Sequence, residues 1–388
     1  MVKYKLGEIC EIVSGSTPKT GIAEYWDGNL KWITPAEIDD ESYIITDSAR
    51  KLTELGVKKT GLSSFPSGTV ILSSRAPIGK VAIAGCEMYC NQGFKNLICS
   101  DRINNRYLYW FLKGNTAYLN SLGRGATFKE ISKKIVSDIE INVPEISQQL
   151  AAVDALERIS EIIRLRKNQL QKLDELIKAR FVEMFGDPIV NSCKLPVVTL
   201  GEISGLITKG ASPSWQGFSY INDKSQTLFV TSENVREGYL DLSSPKYIED
   251  GFNVKQKRSV IHKGDFLINI VGASIGRAAQ FNLDCKANMN QASALVRIKD
   301  RRINEKYLLT YLNSDKAQRM YDSMKSDTGR ANLSLQDISN LSILLPPIKK
   351  QIEFDQFVNQ VDKSKAAVQK SLDEAQLLLD SLMQRYFE

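Results

Sequence analysis

The sequence has few of the residues that build metal and disulfide sites. It contains one histidine, His262, and six cysteines, none of which form a CxxC pair. Neither a zinc site nor a disulfide framework is therefore expected, and His262 is interpreted as a surface residue. No apolar run approaches the roughly 18 residues that cross a membrane, and the amino-terminal MVKYKLGEIC lacks the apolar segment of a signal peptide. We expect a cytoplasmic protein with no membrane partner.

Common catalytic motifs are also missing. The nearest approach to a phosphate-binding loop, Ser74 to Lys80, has serine in place of the first glycine and Val81 after the lysine. The Asn/Asp-Pro-Pro-aromatic tetrapeptide of amino-methyltransferases is absent, because the one Pro-Pro pair lies between Leu345 and Ile348. Neither nucleotide hydrolysis nor base methylation is expected of this chain.

Two weaker patterns are better explained by structure than by chemistry. The segment Gly123-Arg124-Gly125 lacks the third glycine of a dinucleotide-binding loop, so it is interpreted as a loop turn. Asp265 with Asp284 and Lys286 could hold Mg²⁺ and polarise a water molecule. However, Asp265 follows Gly264 at the start of a strand, where a solvated acid is ordinary. We therefore expect no catalytic residue, no metal and no cofactor on this chain.

The composition is that of an ordinary soluble protein with room for two or three domains. The 388 residues are 43% hydrophobic and 25% charged, with a formal net charge of +6. The positive excess falls on segments 1–147 and 188–346, whereas segments 148–187 and 347–388 are close to neutral. A basic bias on these parts suits a polyanionic partner, although many other proteins share it.

The two halves of the chain are alike. The offset between matching residues drifts only from 194 to 202, as a tandem duplication with small loop insertions would leave it. The matching segments are Leu6-Gly7-Glu8-Ile9 with Leu200-Gly201-Glu202-Ile203, Ile78-Gly79-Lys80 with Ile275-Gly276-Arg277, Asn91-Gln92 with Asn290-Gln291, and Pro144 with Pro346.

A long helix is predicted at the end of each half, because apolar residues recur there every seven positions, as in the seam of a coiled coil. The seam residues are Leu156, Ile163, Leu170 and Ile177 in the first helix and Val358, Leu372 and Leu379 in the second, where Val361 occupies the companion position three residues after Val358. Arg166 corresponds to Val368 of the second helix, and Lys365 corresponds to Ile163 of the first. Because the polar interruptions fall at different positions, each helix fits the other better than a second copy of itself, and we expect the two helices to pair within the chain. Gly186 and Pro188 predict the end of the first helix.

The fold class is predicted to be α+β. β-prone runs at 70–72 and 266–268 follow glycines, and helical segments begin near Asn104 and Asn304. Two similar mixed α/β domains, residues 1–147 and 188–346, are then joined by two long helices, residues 148–187 and 347–388. An antiparallel coiled coil is the simplest pairing, because the chain must return through the second globule before the second helix can meet the first. That pairing implies pseudo-twofold symmetry.

Loops in both halves interleave basic residues with aromatic and amide side chains. Lysine and arginine neutralise phosphates, and arginine, asparagine and glutamine can form paired hydrogen bonds with purine edges. The candidate DNA-contacting residues are Lys19, Lys31, Arg75, Lys80, Asn91, Gln92, Arg124 and Lys129 in the first half and Lys209, Trp215, Arg236, Arg277, Asn290, Gln291, Arg330 and Asn332 in the second. A solvated surface role competes for each of them. Trp32 belongs to the same group of first-half loop residues, and a packed role competes for Trp32 and for Trp215.

A set of short segments follows a fixed order along the chain: Gly15-Ser16-Thr17-Pro18-Lys19, Trp32-Ile33-Thr34-Pro35, Arg75-Ala76-Pro77-Ile78-Gly79-Lys80, Asn91-Gln92-Gly93, Pro144 to Gln149, and Phe181 to Pro188. In these segments, and in its arrangement over essentially the full length, the chain resembles the specificity subunits of type I restriction-modification enzymes. The second half departs from the pattern, since Gly272-Ala273-Ser274 stands where Arg75-Ala76-Pro77 does, so no arginine-specific role is carried to Gly272.

The resemblance implies two target-recognition domains, each of which reads one half of a bipartite site in double-stranded DNA, with the helices setting the spacer. It also implies that this chain is not catalytic. Two modification subunits, and restriction subunits bound through them, would carry the chemistry, so S-adenosylmethionine, ATP and Mg²⁺ are expected on those partners. The sequence leaves three alternatives open: a nuclease or methyltransferase with unfamiliar motifs, the recognition subunit of another two-part restriction enzyme, and a coiled-coil scaffold without a DNA role.

Overall fold

The computed structural model describes residues 2–125, 129–324 and 332–387. The chain divides into two compact units, unit one with residues 1–168 and 369–388, and unit two with residues 169–368. Unit one is assembled from both ends of the sequence, whereas unit two is continuous. Each long helix therefore contributes residues to both units.

Unit one contains a mixed set of strands and short helices followed by the first long helix. Its strands are β1 (Val2–Lys5), β2 (Cys10–Val13), β3 (Trp26–Ile33), β4 (Ile44–Ile45), β5 (Arg50–Leu52), β6 (Val70–Ser74), β7 (Ile78–Ala84), β8 (Tyr89–Cys90), β9 (Asn96–Cys99) and β10 (Glu140–Val143). Its helices are α1 (Leu6–Ile9), α2 (Glu54–Thr60), α3 (Asn105–Gly114), α4 (Thr116–Ser121), α5 (Lys133–Ser137) and the start of α6 (Ile146–Phe185). Short 3-10 turns cover Ala23–Tyr25 and Pro35–Glu37.

A five-stranded sheet forms the centre of unit one, in the order β2-β9-β6-β7-β4. One face, which includes Leu72 and Val81, packs against α3 and its buried aromatic residues. The other face, which includes Ile71 and Ala82, packs against the three-stranded sheet β5-β3-β8. The alternation follows from the strand geometry, since successive side chains point to opposite faces. Strands β1 and β10 form a separate antiparallel pair before α6.

Unit two repeats most of the order of elements of unit one. Its strands are β11 (Val197–Thr199), β12 (Ser204–Lys209), β13 (Tyr220–Ile221), β14 (Thr227–Val230), β15 (Lys246–Ile248), β16 (Phe266–Asn269), β17 (Ala278–Gln280), β18 (Ala287–Met289), β19 (Ser293–Ile298) and β20 (Ser342–Leu344). Its helices are α7 (Leu200–Ile203), α8 (Gly251–Lys255), α9 (Glu305–Leu312), α10 (Asp315–Met324), α11 (Leu335–Ser339) and the start of α12 (Ile348–Phe387). Short 3-10 turns cover Ser214–Gln216, Lys257–Ser259 and Gly272–Ser274.

The sheets of unit two match those of unit one. The main sheet has the order β12-β19-β16-β17, and the second sheet has the order β13-β15-β14-β18. The differences lie at the edges, because β4 extends the main sheet of unit one and β13 extends the second sheet of unit two. The structure thus confirms the predicted α+β class with two similar mixed α/β globules.

The helices after residues 104 and 304 start at asparagine caps. The side-chain oxygen of Asn104 accepts hydrogen bonds from the backbone N–H groups of Arg106 and Tyr107, at 2.9 and 3.3 Å. Asn304 accepts one from the N–H of Tyr307 at 3.1 Å. These bonds satisfy donors that the first turn of a helix leaves unpaired.

The two long helices are clamped to their globules by a buried glutamine in their first turns. Gln149 in α6 and Gln351 in α12 are both fully buried. Each accepts a hydrogen bond from the capping asparagine and donates two to backbone carbonyl groups. At its other end α6 stops before Gly186, whose φ of 78° lies in the left-handed region that glycine favours, as the sequence predicted.

Within unit two, the segments of α6 and α12 run antiparallel. Phe181 stacks its ring edge against Phe354, with centroids 5.4 Å apart. Towards the amino end of α6, Asp174 accepts a hydrogen bond of 2.6 Å from Lys365, further along α12. Because the contacts move backward along one helix as they move forward along the other, the two segments have opposite directions.

The seam positions are buried or half-buried within their units. Leu156 and Ile163 are buried in α6, as are Val358 and Val361 in α12. Leu170, Ile177, Leu372 and Leu379 are half-buried. In unit one the last turns of α12 pack against the same core as the start of α6, through Leu379, Leu382, Met383, Tyr386 and Phe387.

Candidate nucleic-acid interface

Polar loops of unit one are tied together at one end of the sheets. The backbone N–H of Ser16 donates a hydrogen bond of 3.0 Å to the carbonyl oxygen of Cys90. Gly15 lies so close to this carbonyl group that a β-carbon would overlap it. The hydroxyl group of Thr17 donates to the side-chain oxygen of Gln92. Loop 14–19 is therefore held against loop 91–93.

Loop 91–93 in turn joins two further loops. The N–H of Asn91 donates to the carbonyl oxygen of Ile33 at 3.2 Å, directly before the turn at 34–37. The N–H of Ser74 donates to the carbonyl oxygen of Gly93 at 2.7 Å, directly before the turn at 75–77. Four loops that are far apart in the sequence are thus held together, and they carry half of the candidate residues of the first half, namely Lys19, Arg75, Asn91 and Gln92.

Two of the candidate lysines in unit one are engaged within the protein. The ammonium group of Lys80 donates to the carbonyl oxygen of Pro35 at 3.0 Å. That of Lys31 donates to the carbonyl oxygen of Thr46 at 2.6 Å and to the sulfur of Cys86 at 3.3 Å. Both side chains are half-buried. They hold loops together, and this role leaves fewer of their N–H donors for a ligand.

A carboxylate lies among the basic residues of this surface. Glu130 is 3.8 Å from the guanidinium group of Arg75 and 3.3 Å from the ammonium group of Lys95. Lys95 is buried and also reaches the hydroxyl group of Ser74 at 3.3 Å. The backbone of Glu130 exchanges hydrogen bonds with that of Arg124. Lys95 and Glu130 were not among the candidates. No local pattern marks a lysine that points into the fold, and the candidates were basic, aromatic and amide side chains, which excludes a glutamate.

The remaining candidates of unit one divide between surface and core. Lys19, Gln92, Arg124 and Lys129 are exposed. Trp32 is only 3% exposed, and its indole N–H donates to the carbonyl oxygen of Ser16 at 3.1 Å. The packed interpretation of Trp32 is therefore the correct one.

Unit two has the same framework of loop contacts. A β-carbon on Gly210 would overlap the carbonyl group of Met289, as at Gly15. The N–H of Asn290 donates to the carbonyl oxygen of Val230 at 3.1 Å, as Asn91 does to Ile33. Ile270 donates to Ala292 at 2.9 Å, as Ser74 does to Gly93. The backbone scaffold of the surface is therefore shared by the two units.

The hydrogen bonds correct one position of the sequence comparison. Arg75 forms a backbone bridge with Glu130, and the residue that forms the equivalent bridge, with Asn332, is Val271. Val271 and not Gly272 thus stands where Arg75 does. The extra residue of the second half lies after this position, in the turn before Ile275.

The candidates of unit two differ widely in exposure. Trp215 is 84% exposed in the turn 214–216. Lys209, Gln291 and Asn332 are exposed, Arg277 is half-buried, and the side-chain oxygen of Asn290 accepts from the N–H of Ala292 at 3.1 Å. Arg330 lies outside the described residues.

Arg236 is bound by a carboxylate. Its guanidinium group donates to Asp241 at 3.2 Å. Hydrogen bonds from the hydroxyl and N–H groups of Ser243, together with Arg236, lower the pKa of Asp241. This pair fixes the turn at 235–241.

Asp265, which the sequence offered as a weak candidate magnesium ligand, is paired with an arginine. Asp265 is 2% exposed rather than solvated, and Arg297 donates two hydrogen bonds of 2.7 Å to its carboxylate. Lys286 pairs with Asp250, and the side chain of His262 is exposed. In residues 2–125, 129–324 and 332–387, no group of three or more histidine, cysteine, aspartate or glutamate side chains could hold a metal ion.

Two repeated units that present the same loop scaffold with different side chains define a tandem recognition protein. The family model described as "Type I restriction modification DNA specificity domain" matches residues 1–175 and 195–376. The chain therefore belongs to the family of type I restriction-modification specificity subunits, whose role is the recognition of a DNA sequence.

Relatives of known identity agree with this assignment. The type I restriction enzyme MjaIX specificity subunit of Methanocaldococcus jannaschii is 30% identical over 362 residues, which cover 88% of this chain and 82% of the relative. The EcoBI specificity subunit of Escherichia coli is 23% identical over 305 residues, which cover 73% and 64%.

Solved structures share the fold. A chain from work on complex assembly and conformational transition of the type I R-M system has a TM-score of 0.63 at 20% identity, covering 99% of this chain and 97% of that one. The S subunit of a type I system from M. genitalium has a TM-score of 0.54 at 15% identity, covering 100% and 96%. Among the helices of the described residues, none combines the length and apolar character of a membrane span.

Proposed function

We propose that each unit reads one half of a bipartite site in double-stranded DNA, and that the two long helices set the unread spacer between the halves. The observation that carries the proposal is the shared loop scaffold with unlike side chains. Where unit one has Arg75 and Lys95, the matching backbone hydrogen bonds and strand pairing give Val271 and Ala294 in unit two. A fixed scaffold with variable side chains is suited to two different half-sites, because base edges are distinguished by the donors and acceptors that face them.

The length of the helices is compatible with a spacer. Both α6 and α12 contain 40 residues. At 1.5 Å per residue each is about 60 Å long. One turn of duplex measures about 34–36 Å, so helices of this length could separate two half-sites by at least one turn.

Apolar side chains at equivalent positions of the two helices support a role in assembly. Ile146 and Leu150 in the first turns of α6 are 41% and 48% exposed, and Ile348 and Ile352 in α12 are 38% and 44% exposed. Exposed apolar residues that recur in both repeats favour a partner protein that binds twice. We propose two modification subunits as these partners, with restriction subunits bound through them.

The chemistry of the assembly is assigned to those partners. They would bind S-adenosylmethionine, ATP and Mg²⁺, and the present chain would contribute the sequence preference. This division is supported by the family assignment and by the recognition surface described above. Cytoplasmic DNA is the expected substrate.

Exchange of one unit's globule tests the proposal. Residues 1–147 are replaced by the equivalent part of a relative with a different target, and the methylated motif is mapped in cells that carry the modification subunits. We expect one half of the motif to change while the other half and the spacer stay the same. A chimera that alters both halves, or neither, would contradict the proposal.

A further inference from the structure

We infer that Glu130 and Asn332 are specificity-determining residues at equivalent positions: the Glu130 carboxylate accepts a hydrogen bond from the exocyclic amino group of a cytosine, and the Asn332 amide pairs with an adenine. The inference rests on the proposed function and names two of the side chains that read bases. Carboxylates suit the amino group of cytosine, and asparagine can bond both N6 and N7 of adenine.

The backbone places the two residues in the same position. Glu130 forms a bridge with Arg75, and Asn332 forms one with Val271. The next residue of each segment donates to the strand end, Ile131 to Ser74 at 3.0 Å and Leu333 to Ile270 at 2.9 Å. The backbone of each residue is therefore held against a strand end of its unit, which places the two side chains at the same position of the shared scaffold.

The surroundings of Glu130 indicate what it can face. Its side chain is 40% exposed, between Arg75 on the surface and Lys95 below it. Phosphates would repel an exposed carboxylate, whereas a base edge with an amino group would attract it. The two cations hold the carboxylate in place and partly offset its charge near a polyanion.

In unit two the position equivalent to Glu130 is polar although no buried lysine lies beside it among the residues that the structure describes. The strand pairing puts Ala294 where Lys95 stands, since Leu97 faces Val70 in one sheet and Val296 faces Phe266 in the other. Asn332 is nevertheless polar and exposed, and its side chain makes no hydrogen bond to any other residue of the described ranges. A polar group is thus presented in both units, with and without the lysine.

The test uses the complex of this chain with its modification subunits. Binding is measured on a panel of duplexes that carry every single substitution in both half-sites. In Glu130→Gln, which keeps the size of the side chain but replaces one acceptor oxygen by an amino donor and removes the charge, we expect discrimination at one cytosine of one half-site to fall by roughly 5- to 150-fold. Asn332→Asp should do the same at one adenine of the other half-site.

The controls separate specificity from stability and from the proposed function. Glu140→Gln removes a carboxylate of unit one that binds Lys3 on β1 and should leave the whole panel unchanged. Uniform weakening of all duplexes by Glu130→Gln, or an unchanged panel, would overturn the inference. A wild-type complex that binds every duplex equally would instead contradict the proposed function itself.

Discussion

The side-chain oxygen of Gln149 accepts a hydrogen bond of 2.7 Å from the backbone N–H of Asn104. Its amide group donates to the carbonyl oxygens of Arg102 and Pro144, at 3.0 and 2.8 Å. One buried side chain therefore joins the start of α6, the strand before it and the cap of α3. A buried amide with all its partners in place fixes orientation, because any shift of the helix would leave a polar group unpaired.

Replacing Gln149 by glutamate should destabilise unit one. The ionised carboxylate cannot donate to the two carbonyl groups, so we expect a loss of about 2–4 kcal/mol in the free energy of unfolding at neutral pH. These carbonyl groups favour the protonated acid and raise its pKa in the folded state. The loss is therefore full above that pKa and shrinks as the pH falls towards about 5, where a protonated acid can donate again.

Urea unfolding at several pH values measures this effect. The adjacent Gln148 is exposed, so Gln148→Glu makes the same chemical change outside the clamp and should have little effect at any pH. Equal stability of the two variants would show that the clamp does not hold the helix.

Trp215 should contribute to DNA binding and not to stability. It is 84% exposed, so Trp215→Ala removes almost no buried area. We expect binding by the assembled complex to weaken about 5- to 30-fold, or about 1–2 kcal/mol, with an unchanged melting temperature. Val254, which is 69% exposed in the same unit, provides a matched control through Val254→Ala. If the Trp215 variant binds DNA as tightly as the wild type does, Trp215 does not contribute to DNA binding.

Arg75 and Arg277 should act mainly through their charge. Each lies near an Ile-Gly turn where the backbone could approach a phosphate, so alanine at either position should weaken binding to all sequences. Arg75→Ala should in addition reduce the discrimination at the cytosine that Glu130 faces, because Arg75 helps to hold that carboxylate. The slope of the logarithm of affinity against the logarithm of salt concentration should flatten by about one unit. Arg158→Ala removes the same charge from α6, where Asp154 binds it, and should leave the slope unchanged. If the slope is unchanged in the Arg75 or Arg277 variant, that side chain does not contact a phosphate.

Lengthening both helices should widen the gap in the recognised site. Four residues inserted between positions 166 and 172, and four at the equivalent place in α12, add about 6 Å to each helix. That length corresponds to about one or two base pairs, and both half-motifs should stay the same. Insertion in one helix alone disrupts the seam and serves as the mismatched control. Methylation mapping that returned the original spacing would show that the helices do not set it.

Much of the fold could be predicted because its signals are local or periodic. The strands at 70–74 and 266–269, the caps at Asn104 and Asn304 and the stop at Gly186 follow from β-propensity, capping chemistry and glycine conformation. The repeat was visible because duplicated framework motifs keep their order. Each of these signals lies within a few residues or recurs at a fixed spacing.

The details of the site depend on contacts between distant residues. The sequence gives no sign that Lys80 binds Pro35, that Arg297 binds Asp265, or that Lys95 lies beneath Glu130. The comparison of Arg75 with Gly272 failed for the same reason, because only the bridge between strands places Val271 there. Packing decides which loop residue faces inward, and packing depends on residues that are distant in the sequence.

The discontinuity of unit one has a consequence for the order of folding during synthesis. Unit two is a single segment and can complete its core as soon as residue 368 has left the ribosome. The core of unit one includes contributions from Leu379 to Phe387, so it waits for the last turns of α12 although its strands are made first. Domains usually mature from the amino terminus onward. Here, by contrast, we expect the amino-terminal globule to be completed last, so that a chain that ends before residue 379 would be cleaved by proteases more readily in unit one than in unit two.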